Sequence, residues 1–182
     1  MTAAIAFRDL TLGYDRSPAV HRLKTEIAAG TLTAIVGPNG AGKSTLIKGV
    51  TGTLAPLEGQ ISLGVQNRED IAYLPQQSDI DRTFPLSVMD LVAMGLWREI
   101  GPFGWFGRAH RGRVETAISA VGLTGFEDRS IGSLSGGQMQ RARFARLLLQ
   151  DAQLVLLDEP FTAIDARTMT DLLQVIANWH AE

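Results

Sequence analysis

Gly37-Pro38-Asn39-Gly40-Ala41-Gly42-Lys43-Ser44 decides the fold of this chain. Its glycines let backbone N–H groups turn inward around oxyanions, and a helix beginning near Lys43 presents the positive end of its dipole to the same point. A compact β-rich run, Thr31 to Val36, leads into the loop, and Ser44 to Val50 continues as a helix until Gly52 weakens it. Strand, loop, helix is the setting a phosphate-binding loop requires. By its spacing Lys43 reaches the β- and γ-phosphates of a nucleotide, the Ser44 hydroxyl coordinates Mg²⁺, and Thr45 adds a lesser phosphate contact.

Upstream, Ile5 to Leu12 and Val20 to Ile27 carry apolar residues in strand fashion, with Gly13-Tyr14 and Ser17-Pro18 as turn chemistry between them. They predict an antiparallel flap. A second strand pair is expected around Gln60 to Leu63 and Ile71 to Leu74, after which the pattern turns helical. Ser87 is placed to cap a helix bearing Val88, Leu91, Val92 and Leu96 on one face, and Val114, Ile118 and Val121 mark another. Ile100 to Gly107, between them, is too rich in glycine and proline for helix. Residues 77–148 thus read as a helical insert, and 1–76 with 149–182 as the core that carries it. Leu154 to Leu157 is a continuous apolar run, expected as a strand, buried on both faces if it is central to a parallel sheet. Leu172, Leu173, Ile176 and Trp179 then recur at helical spacing. The fold class is α/β, with a P-loop core, an N-terminal antiparallel β subdomain and an inserted α-helical subdomain.

Composition narrows the class further. With 182 residues, 45% of them apolar, the chain can bury a sizeable interior, and its formal charge of −2 gives no general attraction to nucleic acid or anionic lipid. Arg98, Arg108, His110, Arg111 and Arg113 form one locally basic stretch, read as a solvated helix face rather than a nucleic-acid site. There is no cysteine, so thiolate metal sites and disulfides are excluded. The first residues already carry Arg8 and Asp9 and lack the apolar core of a secretory signal, which reads as cytoplasmic.

Two further clusters add chemistry. Ser135-Gly136-Gly137-Gln138 has the spacing of a capping box, in which Ser135 caps a helix and Gln138 reaches back. Two glycines in the first turn cost roughly 0.5 to 1 kcal/mol each against alanine, which fits a need for close approach to the backbone by an anion at the helix N-terminus. Asp158-Glu159 follows the Leu154 to Leu157 strand, and Pro160 enforces a sharp exit. At the carboxyl end of a core strand Asp158 can position Mg²⁺ through water and Glu159 can polarise an attacking water as general base.

Leu134-Ser135-Gly136-Gly137-Gln138, followed by Met139-Gln140-Arg141, resembles the signature of ATP-binding cassette (ABC) ATPases. The resemblance implies a RecA-like sheet, ATP and Mg²⁺ as ligands, and a dimer in which the signature of one subunit presses on the γ-phosphate held by the glycine loop of the other. Phe161-Thr162-Ala163-Ile164-Asp165 resembles the family's D-loop, which implies Asp165 at the dimer seam. Gln76, after Tyr73-Leu74-Pro75, occupies the Q-loop position of a Mg²⁺ and water contact, with Gln77 as neighbouring candidate, and Tyr14 resembles the aromatic that stacks on adenine. The stretch from Tyr73 to Pro85 and the following Val88 to Trp97 look like the ATPase subunits of zinc and manganese importers. That implies a membrane permease as partner, a periplasmic or extracellular metal-binding protein acting indirectly, and a place on the cytoplasmic face of the membrane. The other readings are a soluble ABC ATPase, such as one assisting iron–sulfur cluster assembly, and a truncated nucleotide-binding module.

A complete cassette carries one more strand, ending in a switch histidine. Only residues 160–182 follow Glu159, and His180 within Asn178-Trp179-His180-Ala181 has helical periodicity, so it is assigned to a helix surface. The chain is therefore expected to bind nucleotide better than it hydrolyses it.

Overall fold

The N-terminal apolar runs fold as expected into a long hairpin, β1 (Ala3–Tyr14) and β2 (Ser17–Ala28), antiparallel with Ile5 opposite Ile27 and Gly13 opposite Pro18. A Cβ at Gly13 would lie 2.1 Å from the Ser17 carbonyl oxygen, so only glycine permits this turn. The computed structural model describes residues 3–15, 17–76, 81–162 and 164–181, and the Gln77 candidate lies outside the described residues. These group into two compact units, Met1–Tyr73 with Ala152–Asp158 and Leu74–Asp151 with Glu159–Glu182.

In the first unit β1 also pairs with β3 (Glu58–Leu63), giving a sheet of order β2-β1-β3. β4 (Ile71–Leu74) does not pair with β3; it joins β5 (Leu154–Leu157) in a second, parallel sheet. The expected strand pair is thus split between two sheets. A β-rich segment fixes strand character but not its neighbour, and the long connection between β4 and β5 suits parallel pairing. α1 (Lys43–Thr51) opens after Gly42 and closes on Gly52, both in the left-handed region. Ile5, Phe7, Leu10 and Leu12 of β1 and Leu46 and Val50 of α1 form the core, with Leu154 and Leu156 packed against it.

Two strand expectations need correction. Thr31 to Val36 forms no strand and is exposed throughout, Leu32 at 69% and Val36 at 88%. High β-propensity describes fit to a paired, half-buried surface, and this run pairs with neither β4 nor β5. β5 forms where expected but is half-buried rather than buried on both faces, because β4 is its one partner strand among the described residues.

The second unit is helical. α2 (Val88–Ala93), α4 (Arg108–Ala120) and α6 (Ala166–Ala181) follow the expected periodicities, α5 (Gly136–Leu148) starts at the expected capping box, and a short α3 (Trp97–Ile100) was not expected as a separate helix. Ser87 caps α2 in a capping box with Asp90. α2, α4 and α5 pack on one another and bury Val88, Leu91, Val92, Val114, Ile118 and Phe144, each worth roughly 1.5–3 kcal/mol as a fully buried apolar side chain. Of α6, Leu172 is buried and His180 is exposed, as a helix-surface histidine should be. The basic stretch lies along α3 and α4, where Glu99 accepts from Arg113 and lies 3.3 Å from His110 Nε2, and Glu115 accepts from Arg111. No helix among the described residues is long and apolar enough to cross a membrane.

Candidate functional site

Within the first unit the glycine loop runs as turns into α1, with Gly40 at φ +83° and Gly42 at φ +86°. A Cβ at Gly42 would meet the Ala19 carbonyl oxygen at 2.7 Å, so both conformation and space demand glycine there. Lys43 Nζ donates to the carbonyls of Gly37 and Pro38, 2.9 Å each, which folds the ammonium over the loop. Gly37 to Ala41 are exposed, whereas Thr45 is buried in the first turn of α1. Ser44 Oγ donates to Asp158 Oδ1 at 2.9 Å, so the loop and the end of β5 meet through a hydroxyl and a buried carboxylate.

Tyr73, at the end of β4, is held above the usual phenol range, first by burial and then by the Asp158 charge beside it, and so stays neutral. Tyr14, 47% exposed at the hairpin tip, accepts from Lys48 Nζ at 3.3 Å, and the same ammonium lies over its ring, 5.6 Å from the centroid. Among the described residues no three His, Cys, Asp or Glu side chains cluster as metal ligands. Ser44 and Asp158 are nevertheless two hard oxygen donors already in contact, a donor set that suits Mg²⁺, which keeps waters and phosphate oxygens for its remaining positions.

Within the second unit Gln76 and Glu159 meet directly. Gln76 Nε2 donates to Glu159 Oε2 at 2.7 Å, and Thr162 Oγ1 donates to the same oxygen at 3.1 Å. Glu159 has φ +47°, an unusual conformation for a non-glycine residue, and strain of this kind collects at functional positions. The capping box forms as read: Gln138 N–H donates to Ser135 Oγ, and Ser135 N–H to Gln138 Oε1. Leu134 is different, because its side chain is 4% exposed and belongs to the core. A Cβ on Gly137 would approach Thr168 Oγ1 to 3.1 Å and Asp165 Oδ2 to 3.4 Å, so the signature glycine makes room for the start of α6 in the same chain. Asp165 caps that helix, accepting from the Thr168 amide and hydroxyl.

Sequence reasoning missed three polar residues that organise these groups. Gln140 and Arg143 on α5 reach the backbone on either side of the Gln76–Glu159 pair, and Thr168 fills the space beside Gly137. A glutamine and an arginine three apart, in a helix otherwise packing Met139, Ala142 and Phe144, were the available signal.

A glycine loop at a helix start, paired with an acidic strand end in a mixed α/β architecture, defines a P-loop nucleotide-binding protein. Residues 20–162 match the ABC transporter family, and the chain belongs to it. It is 42% identical over 171 residues to the manganese transport system ATP-binding protein MntB of Listeria monocytogenes, covering 92% of this chain and 71% of that one. It is also 42% identical over 172 residues to the zinc transport system ATP-binding protein TroB of Treponema pallidum, covering 91% of this chain and 64% of that one. A solved inward-facing ABC transporter, described as of metal-chelate type, superposes with a TM-score of 0.85 at 30% identity, over all of this chain and 70% of its own.

Proposed function

We propose that this chain is the ATP-binding and hydrolysing subunit of a membrane importer for a divalent metal, zinc or manganese. The observation that carries the ATPase reading is the hydrogen bond between Gln76 and Glu159, which aims a candidate general base from the strand end that also bears Asp158. Glu159 polarises the attacking water, Gln76 orients it, and Lys43 with the loop amides neutralises the phosphates. Ser44, Gln76 and, through water, Asp158 would hold magnesium, which would supply charge neutralisation on the phosphate oxygens. Ser135, Gly136, Gly137 and Gln138 offer the start of α5 to the γ-phosphate bound by a second subunit, with Asp165 at the seam and Tyr14 on the adenine. The 77–148 insert is the part that meets a permease at the cytoplasmic face of the membrane.

The metal rests on the names of the relatives, because the transported ion has no cluster of ligands among the described residues. Metal uptake in cells lacking the corresponding gene tests the whole reading. ATP-dependent zinc or manganese uptake restored with a polytopic membrane partner supports it. Repeated recovery with soluble scaffold proteins alone, and no effect on uptake, would count against it.

A further inference from the structure

Gln76, Glu159, Gln140 and Arg143 close a ring. Gln76 Nε2 donates to Glu159 Oε2 at 2.7 Å, and the carbonyl of the next residue, Pro160, accepts from Gln140 Nε2 at 2.6 Å. Gln140 Oε1 accepts from Arg143 Nη1 at 2.9 Å, and Arg143 Nη2 donates to the carbonyl of Pro75, the residue before Gln76. Both side chains come from one face of α5, three residues apart, Gln140 about one turn and Arg143 nearly two turns beyond Gly136 and Gly137.

We infer that Gln140 and Arg143 are positioning residues that hold Gln76 and Glu159 in register from the signature helix. Three features of the ring require this geometry. Gln140 is 8% exposed, and its amide is used at both ends, so its orientation is fixed by what it binds. Arg143 is half-buried with no carboxylate partner among the described residues; its fork instead spans a backbone carbonyl and the Gln140 amide. A cation taken out of water in this way persists only where its donors are satisfied, and carbonyl oxygens do that without neutralising it. Glu159, meanwhile, sits at φ +47°, a conformation that needs its surroundings to hold it. A displacement of α5 is thereby transmitted to both flanks of the Gln76–Glu159 hydrogen bond at once.

The catalytic meaning of the ring rests on the proposed roles of Gln76 and Glu159, so the test reads the ring and the chemistry separately. Arg143→Met keeps the length of the side chain and removes its donors; Gln140→Glu keeps the size and the Arg143 partner but cannot donate to the Pro160 carbonyl. In both variants the side-chain NH₂ resonances of Gln76 are expected to move toward those of a solvent-exposed amide. ATP turnover is expected to fall about tenfold or more, the scale of a lost hydrogen bond to a charged group, while nucleotide affinity of the separate subunit stays within about twofold. Arg143→Lys, which retains one donor for the Pro75 carbonyl, restores part of both. Gln76 resonances and turnover unchanged in a folded Arg143→Met protein overturn the inference, as does a Lys variant as impaired as the Met variant. If the unsubstituted protein shows no turnover, the Gln76 resonances alone decide the ring, and the role of Glu159 is not at issue in that outcome.

Discussion

Ser44 Oγ lies 2.9 Å from Asp158 Oδ1, although 114 residues separate them in the chain. The contact joins the first turn of α1 to the carboxyl end of β5, and it satisfies a carboxylate that is only 4% exposed. A buried charge without such a partner is costly, so the pair explains how an acid can be kept at the floor of a phosphate loop.

Replacing Asp158 with alanine is therefore expected to weaken nucleotide binding about tenfold or more when Mg²⁺ is present, and by much less when the metal is chelated. Titration of a fluorescent ATP analogue with and without chelator measures the difference. An equal loss in both conditions would remove Asp158 from the metal site.

The glycine loop gives a second expectation. Gly42 has φ +86° and no room for a Cβ against the Ala19 carbonyl, so Gly42→Ala should cost at least about 1–2 kcal/mol from the left-handed backbone alone. Because the strain falls on the N-cap of α1, phosphate affinity should drop together with the melting temperature. Thermal denaturation and nucleotide titration of the variant check both, and an unaltered protein would show that the loop tolerates another backbone path.

Most of this organisation was legible in the residues because it is local. Ser87 and Ser135 announce their helices three residues ahead of Asp90 and Gln138, and the periodicity of Val114, Ile118 and Val121 needs only α4 and its C-cap residue. What was illegible depends on neighbours distant in sequence. Thr31 to Val36 has strand composition but no ladder to join, and β4 takes β5 as its neighbour rather than β3. The polar ring escaped for the same reason, since Gln140 and Arg143 acquire meaning only once Pro75 and Pro160 have been brought to α5. Gly137 was read as an opening for an outside anion; the atoms a Cβ there would meet are those of Thr168 and Asp165 in the same chain, which gives the glycine a packing role within the chain.

The start of α5 can be tested through that packing. Ser135→Ala removes the oxygen that accepts the Gln138 amide and should cost about 1 kcal/mol, the usual value of an N-cap. Gly137→Val should cost more, because its Cβ would press on Thr168 Oγ1 at 3.1 Å and Asp165 Oδ2 at 3.4 Å, and Thr168 is buried. Chemical denaturation of the two variants ranks them. A valine variant as stable as the alanine one would mean that α6 shifts freely away from α5.

Asp165 provides a test by pH. Its carboxyl is held below the ordinary carboxylate range, first by the Thr168 amide and next by the Thr168 hydroxyl, both of which bind the charged form. A group with a depressed folded value stabilises the protein above its unfolded value, near 3.8, and that contribution is lost as pH falls through the folded value below it. Asp165→Ala should thus melt at a lower temperature than the parent from neutral pH down to about 3.8, and the gap should close in more acid solution. Asp81 and Glu99, also held low by their own hydrogen-bond partners, titrate in both proteins and cancel from the comparison. Paired melting curves across that range make the measurement. A gap that persists undiminished in acid would show that the cap works through its shape and not its charge.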